Sequence, residues 1–166
     1  MQGEPVRTET LLSDALTIAT PQPPGGEPAP GRPATVAAVD LGSNSFHLIV
    51  AEFAGTRLMV VDRLKDMVRL AAGLDERNRL TEDTMARALA ALSRFGQRLK
   101  DLPSGNIRVV GTNTLRKARN GAAFVARARE ALGHEIEIIS GREEARLIYL
   151  GVAHDLEDDR DRRLVV

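Results

Sequence analysis

Val36-Ala37-Ala38-Val39-Asp40-Leu41-Gly42-Ser43-Asn44-Ser45-Phe46-His47-Leu48-Ile49-Val50 decides the fold. An apolar run climbs to Asp40, breaks at Leu41–Ser45 and resumes from Phe46. Two short apolar runs around a Gly/Asn/Ser cluster predict two antiparallel strands joined by a tight turn. Gly42 and Asn44 are residue types that take left-handed conformations in such turns. The turn also carries a carboxylate, two hydroxyls and an amide, with no bulky side chain over its backbone N–H groups. N–H groups presented together in a turn form a concavity that suits an anion. A plain hairpin and an anion-binding loop are both open on this stretch alone.

Downstream of it, Ala54-Gly55 turns the chain into a third strand over about 57–67, so the first three strands form an antiparallel meander. A polar loop over 68–80 leads to Thr81, a helix N-cap followed by Glu82 and Asp83 in the first turn. Met85, Leu89, Leu92, Phe95, Leu99 and Leu102 recur at three- and four-residue spacing on one face of a long helix. Pro103–Asn106 ends it. Ile107–Gly111 is a short strand, 114–132 a helical stretch kinked or split at Asn120-Gly121, Ile136–Ile139 another strand, and 141–153 or a little beyond a last helix. Strands alternating with helices imply parallel crossovers. The expected class is therefore α/β: a mixed five-stranded sheet, three antiparallel strands then β-α crossovers, with helices on its faces.

Upstream, residues 1–34 hold seven of the eight prolines and read as a disordered Pro/Gly-rich tail. Residues 35–160 read as one lobe, and Leu164-Val165-Val166 as the start of a strand of a second lobe that is absent. The 166 residues carry a formal net charge of zero, which gives no global electrostatic case for nucleic acid or membrane partners. No apolar run reaches the roughly 18–20 residues of a spanning helix. The absence of cysteine excludes disulfides, thiolate metal sites and cysteine nucleophiles, and is consistent with a cytoplasmic protein.

With strands one, four and five parallel, their carboxyl ends share one edge, where open α/β sheets bind ligands. The ends carry Asp40, Gly111-Thr112-Asn113 and Ser140-Gly141. Six cationic side chains and no acid lie between Arg108 and Arg129. Arg116, expected in the first turn of a helix where the dipole disfavours cations, points to an anion at that helix start. Arg127 and Arg129 read as a solvated basic face. Ser140-Gly141-Arg142-Glu143 fits a capping box, which gives Glu143 a structural task and leaves Glu144 free as a general base or water-orienting group. Asp40 is a candidate ligand for a hydrated Mg²⁺. His47 and His134 read as structural.

Val39–His47, Gly111-Thr112-Asn113-Thr114-Leu115-Arg116 and Ile136–Leu147 together resemble the exopolyphosphatase and guanosine pentaphosphate phosphatase (Ppx/GppA) family, as does Val68–Leu74. The resemblance spans about 34–166 and implies the first ribonuclease-H-like lobe of the actin-like superfamily. It implies that Gly42, Ser43, Asn44, Ser45, Arg69, Thr112, Asn113 and Arg116 contact substrate phosphates, that Glu144 orients or deprotonates water, and that Mg²⁺ offsets charge. The implied substrates, and so the partners, are inorganic polyphosphate or guanosine pentaphosphate; a homodimer is open. The chain ends before the family's Asp-x-Gly-Gly-Gly-Ser loop, so the isolated lobe is expected to be a weak catalyst. Two rivals remain at this level: a non-catalytic polyphosphate- or alarmone-binding or regulatory lobe, and a kinase relative on the same fold.

Overall fold

The computed structural model describes residues 35–54 and 57–156. The expected tail at 1–34 and the strand start at 161–166 lie outside them. The strands are β1 (Thr35–Leu41), β2 (Phe46–Ala54), β3 (Arg57–Asp66), β4 (Ile107–Gly111) and β5 (Glu137–Ile138), and the helices are α1 (Glu82–Leu99), α2 (Asn113–Lys117), α3 (Gly121–Leu132) and α4 (Gly141–Leu156). The sheet order is β3-β2-β1-β4-β5. β1 and β3 flank β2 antiparallel, and β4 runs parallel to both β1 and β5. This is the mixed α/β lobe expected from the apolar spacing.

Alternation along the strands separates the two faces. Ala37, Val39 and Leu41 of β1 and Phe46, Leu48 and Val50 of β2 are buried with Met85, Leu92, Phe95 and Leu99 of α1 and Phe124, Val125 and Leu132 of α3. Thr81 caps α1, its hydroxyl accepting from the Thr84 N–H at 3.4 Å. The two helices approach closely at Gly96, where a Cβ would stand 2.5 Å from the Leu132 carbonyl oxygen. Arg94 and Arg98 of α1 pair with Asp66 and Asp62 of β3, tying that helix to the sheet's edge strand. The opposite face of β1 and β2 carries Asp40, His47 and the exposed Ile49.

The stretch 114–132 is split before Gly121, one of the two forms expected: α2 is a single short turn, and Asn120 leaves its own helix start uncapped. Its amide instead pairs both ways with Leu80, accepting from the Leu80 N–H at 2.8 Å and donating to the Leu80 carbonyl at 2.9 Å. β5 pairs with β4 over only two residues, because β4 ends at Gly111; beyond them the Ile139 N–H donates to the Gly111 carbonyl at 3.1 Å. The turn after β1 uses no left-handed residue. Positive φ occurs, among the described residues, at Arg69 (56°), Asn78 (55°) and Gly133 (80°), not at Gly42 or Asn44. No described helix is long and apolar enough to cross a membrane.

Candidate active site

Leu41 of β1 lies beside Gly111 of β4, which lies beside Ile138 of β5. The three carboxyl ends therefore share one edge, as parallel pairing requires. The turn Gly42–Ser45 is fastened to that edge from both sides. The Arg69 N–H donates to the Asn44 carbonyl at 2.7 Å, and the Ala71 N–H to the Ser43 carbonyl at 2.9 Å. Across the sheet, the Thr114 hydroxyl donates to Ser43 Oγ at 2.7 Å, and Thr112 Oγ1 reaches the Leu41 carbonyl at 3.5 Å. Gly42 is required by space. A Cβ there would stand 2.8 Å from the Ser45 carbonyl oxygen and 3.5 Å from Oδ2 of Asp40. Arg69 holds a left-handed backbone that disfavours side chains, in the residue whose N–H clamps the turn. Strain at a non-glycine residue is retained where the surroundings over-determine it, commonly at binding sites.

Glu144 is not free. Arg116 Nη2 donates to its Oε2 at 3.1 Å, while Arg116 Nη1 donates to the Ile139 carbonyl at 2.6 Å. The two side chains are 27% and 31% exposed, so each is reachable by a ligand. Arg116 also lies in the last turn of α2, not the first, because that helix is only five residues long. The dipole argument for an anion at its start therefore falls, and the arginine's place at the edge comes from its bonds to Ile139 and Glu144. The capping box is half formed. The Glu143 N–H donates to Ser140 Oγ at 3.1 Å, but the Glu143 carboxylate turns to Arg146 in a bidentate pair at 2.8 and 2.7 Å. That pair holds the Glu143 carboxyl below its ordinary range.

Asp40 sits opposite His47 in the β1–β2 register, on the face away from the helices. Burial pushes its carboxyl above the ordinary range; nearby His47 pulls it down, and the Glu144 charge adds a further upward push. Its Oδ1 is buried without a hydrogen-bond partner among the described residues. A buried carboxylate oxygen without a partner, at a strand end that leads into a hydroxyl-rich turn, is the kind of oxygen donor that suits a hard cation such as Mg²⁺ completed by water and phosphate oxygens. No group of three or more acidic or histidine side chains that could hold a metal by itself occurs among the described residues.

His47, expected to be structural, touches the turn. Its Nε2 lies 2.7 Å from Ser45 Oγ. The spacing i, i+2 on one strand was visible in the sequence, but its value depends on the turn leaving Ser45 on the same side. Arg127 and Arg129, expected as a solvated basic face, are exposed but paired, with Glu82 at 3.2 Å and Glu135 at 3.1 Å. An open groove of about 740 Å³ runs on from Arg116 between α3 and the β5 end, past Arg119, Val125 and Ile138. His134 lines a separate hollow near the start of β4, away from this edge.

The Gly42–Ser45 turn, Thr112 and Arg116 lie along this edge, with the Arg69 backbone clamped to the turn, and the chain as a whole is similar to known proteins. The profile of the Ppx/GppA phosphatase family matches residues 48–166. A guanosine-5'-triphosphate,3'-diphosphate pyrophosphatase of Vibrio cholerae is 52% identical over 130 residues, 78% of this chain and 26% of the relative. That of Aliivibrio fischeri is 49% identical over 134 residues, 81% of this chain and 27% of its own length. The chain thus spans about a quarter of these curated relatives. Among solved structures, the Aquifex aeolicus PPX-GPPA enzyme superposes with a TM-score of 0.69 at 28% identity, over 74% of this chain and 41% of that one. An exopolyphosphatase from Cytophaga hutchinsonii gives 0.67 at 28% identity, over 72% and 38%. With a profile match across more than half its length and this sheet, the chain belongs to the Ppx/GppA phosphatase family.

Proposed function

We propose that this edge binds the terminal phosphates of a phosphoanhydride substrate and that Glu144 orients the water that attacks them. The observation that carries this reading is the meeting of Arg116 and Glu144 at 3.1 Å on the edge that also holds the Gly42–Ser45 turn. It sets a phosphate-binding cation beside a carboxylate of the kind that accepts a proton from water. The turn's hydroxyls and N–H groups, Thr112, Asn113, Arg69 and Arg116 would grip phosphate oxygens. The attacking water's oxygen bonds to the terminal phosphorus, the anhydride P–O bond breaks, and Glu144 takes the water's proton. Asp40 would hold Mg²⁺, which neutralises charge on the phosphate oxygens when bound.

The curated relatives at 49–52% identity are guanosine pentaphosphate pyrophosphatases, whereas the exopolyphosphatase neighbour shares 28%. Guanosine pentaphosphate, losing its terminal 5′-phosphate, is therefore the favoured substrate, with inorganic polyphosphate second. Phosphoryl transfer depends on positioning and electrostatic stabilisation, so full turnover belongs to the complete family architecture. Phosphate release from both substrates by the protein, wild type against Glu144→Ala, tests the reading. The variant should lose about 10²–10⁴-fold. Near-normal turnover would reject the role of Glu144, and a preference for polyphosphate would reverse the substrate order.

A further inference from the structure

We propose that Arg116 is contested between Glu144 and the substrate, so that a phosphate arriving at Arg116 is what releases the Glu144 carboxylate to orient water. The inference rests on the reading of this edge as a phosphate site. Arg116 is anchored through Nη1 to the Ile139 carbonyl at 2.6 Å, so the guanidinium need not move to change partners. Nη2 carries the exchangeable bond, a single contact to Oε2 of Glu144 at 3.1 Å. A guanidinium offers a planar fork that phosphate oxygens match bidentately, and such charge-assisted pairs are stronger than a single contact to a carboxylate. Both side chains of the pair are partly exposed, so a ligand can reach them. Gly141 starts α4 beside the pair, and a Cβ there would stand 3.6 Å from Nη2.

The chemical consequence follows from the ion pair. The Oε2 that accepts from Nη2 keeps the Glu144 carboxylate turned toward Arg116 and not toward a water beside the phosphate. In the empty site Glu144 is thus restrained, and in the loaded site it is released beside the phosphate it must serve. Its neighbour Glu143 offers a built-in control, because its carboxylate is held by Arg146 and not by Arg116.

Calorimetry of the 166-residue chain with tripolyphosphate at low ionic strength tests this through a double-mutant cycle. Glu144→Gln should tighten binding about three- to fivefold, the scale of a partly exposed ion pair. In the Arg116→Gln background the same change should gain less than half as much, since there is no contested donor left. Glu143→Gln should leave binding unaltered. A Glu144→Gln gain of equal size with and without Arg116 would reduce the effect to plain charge repulsion and overturn the exchange, as would no gain at all. If none of the proteins bound tripolyphosphate, the phosphate-site reading would fall and take the exchange with it. Binding without coupling removes the exchange alone.

Discussion

Asp40 is an acid half-buried where its charge is poorly solvated, and this has a measurable sign. Burial raises the folded-state affinity of its carboxyl for a proton. Between the ordinary carboxylate pKa and the raised one, the folded chain binds more protons than the unfolded chain, so stability falls as pH rises through that window and stays lower above it. Without divalent cations, Asp40→Asn is therefore expected to raise the melting temperature at neutral pH. The gain should shrink as the pH is lowered into the carboxylate range. Thermal melts across that range check it, and a gain independent of pH would mean the charge is not its source. Two residues away, Gly42→Ala places a Cβ 2.8 Å from the Ser45 carbonyl. The turn must shift, at a cost of about 1–3 kcal/mol, and tripolyphosphate binding should weaken with it. Calorimetry and urea unfolding of this variant read the two losses separately. Neither Asp40 nor Gly42 needed the structure to be picked out, since a strand-end carboxylate and a glycine in a hydroxyl-rich turn are visible in sequence. The reason for Gly42 did need it: the constraint is space, not backbone hand. Glu144 was legible as a candidate but not as a bound partner of Arg116, because those residues are 28 apart and meet only once β4 and β5 lie side by side.

Elements were legible where a period repeats over many residues and obscure where one contact decides. The spacing of Met85, Leu92, Phe95 and Leu99 forecasts α1 and its buried face. The alternation that turns Ala37, Val39 and Leu41 inward is hidden in the sequence by an unbroken apolar run. Asn120-Gly121 reads as a helix interruption and is one, yet its deeper task spans 40 residues. The Asn120 amide closes both backbone groups of Leu80, which is 3% exposed. It thereby ties the end of the loop before α1 to the junction of α2 and α3. Asn120→Ala leaves a buried N–H and carbonyl unpaired and is expected to cost about 1–3 kcal/mol. Asn120→Asp keeps the acceptor and loses the donor, so it should fall between the two. Urea midpoints of the three proteins order them; an Ala variant as stable as wild type would show that water replaces the amide. The loop so tied carries Arg69 and Ala71, whose N–H groups clamp the Gly42–Ser45 turn. Loss of Asn120 should therefore also loosen the site from a distance.

At the scale of the molecule, net charge is zero, so the proposed binding of a polyanion would have to rest on local charge at the strand-end edge. Two ligands are expected to share that edge: Mg²⁺ through Asp40, and phosphate oxygens through the turn and Arg116. If the cation takes its remaining ligands from those phosphate oxygens, each raises the affinity for the other by the same factor. A ligand that binds only the folded chain stabilises it by about 2.7 kcal/mol at a hundredfold excess over Kd, several degrees in melting temperature for a domain of this size. Melts of the chain with Mg²⁺ alone, tripolyphosphate alone and both, at matched free concentrations, should give a combined shift larger than the sum of the separate ones. In Asp40→Asn the excess should vanish while the shift from tripolyphosphate alone survives, because the turn and Arg116 are untouched. Additive shifts in the wild type would place the cation away from the phosphates, and an excess that survives in Asp40→Asn would assign it to a different carboxylate, with Glu144 the first to replace.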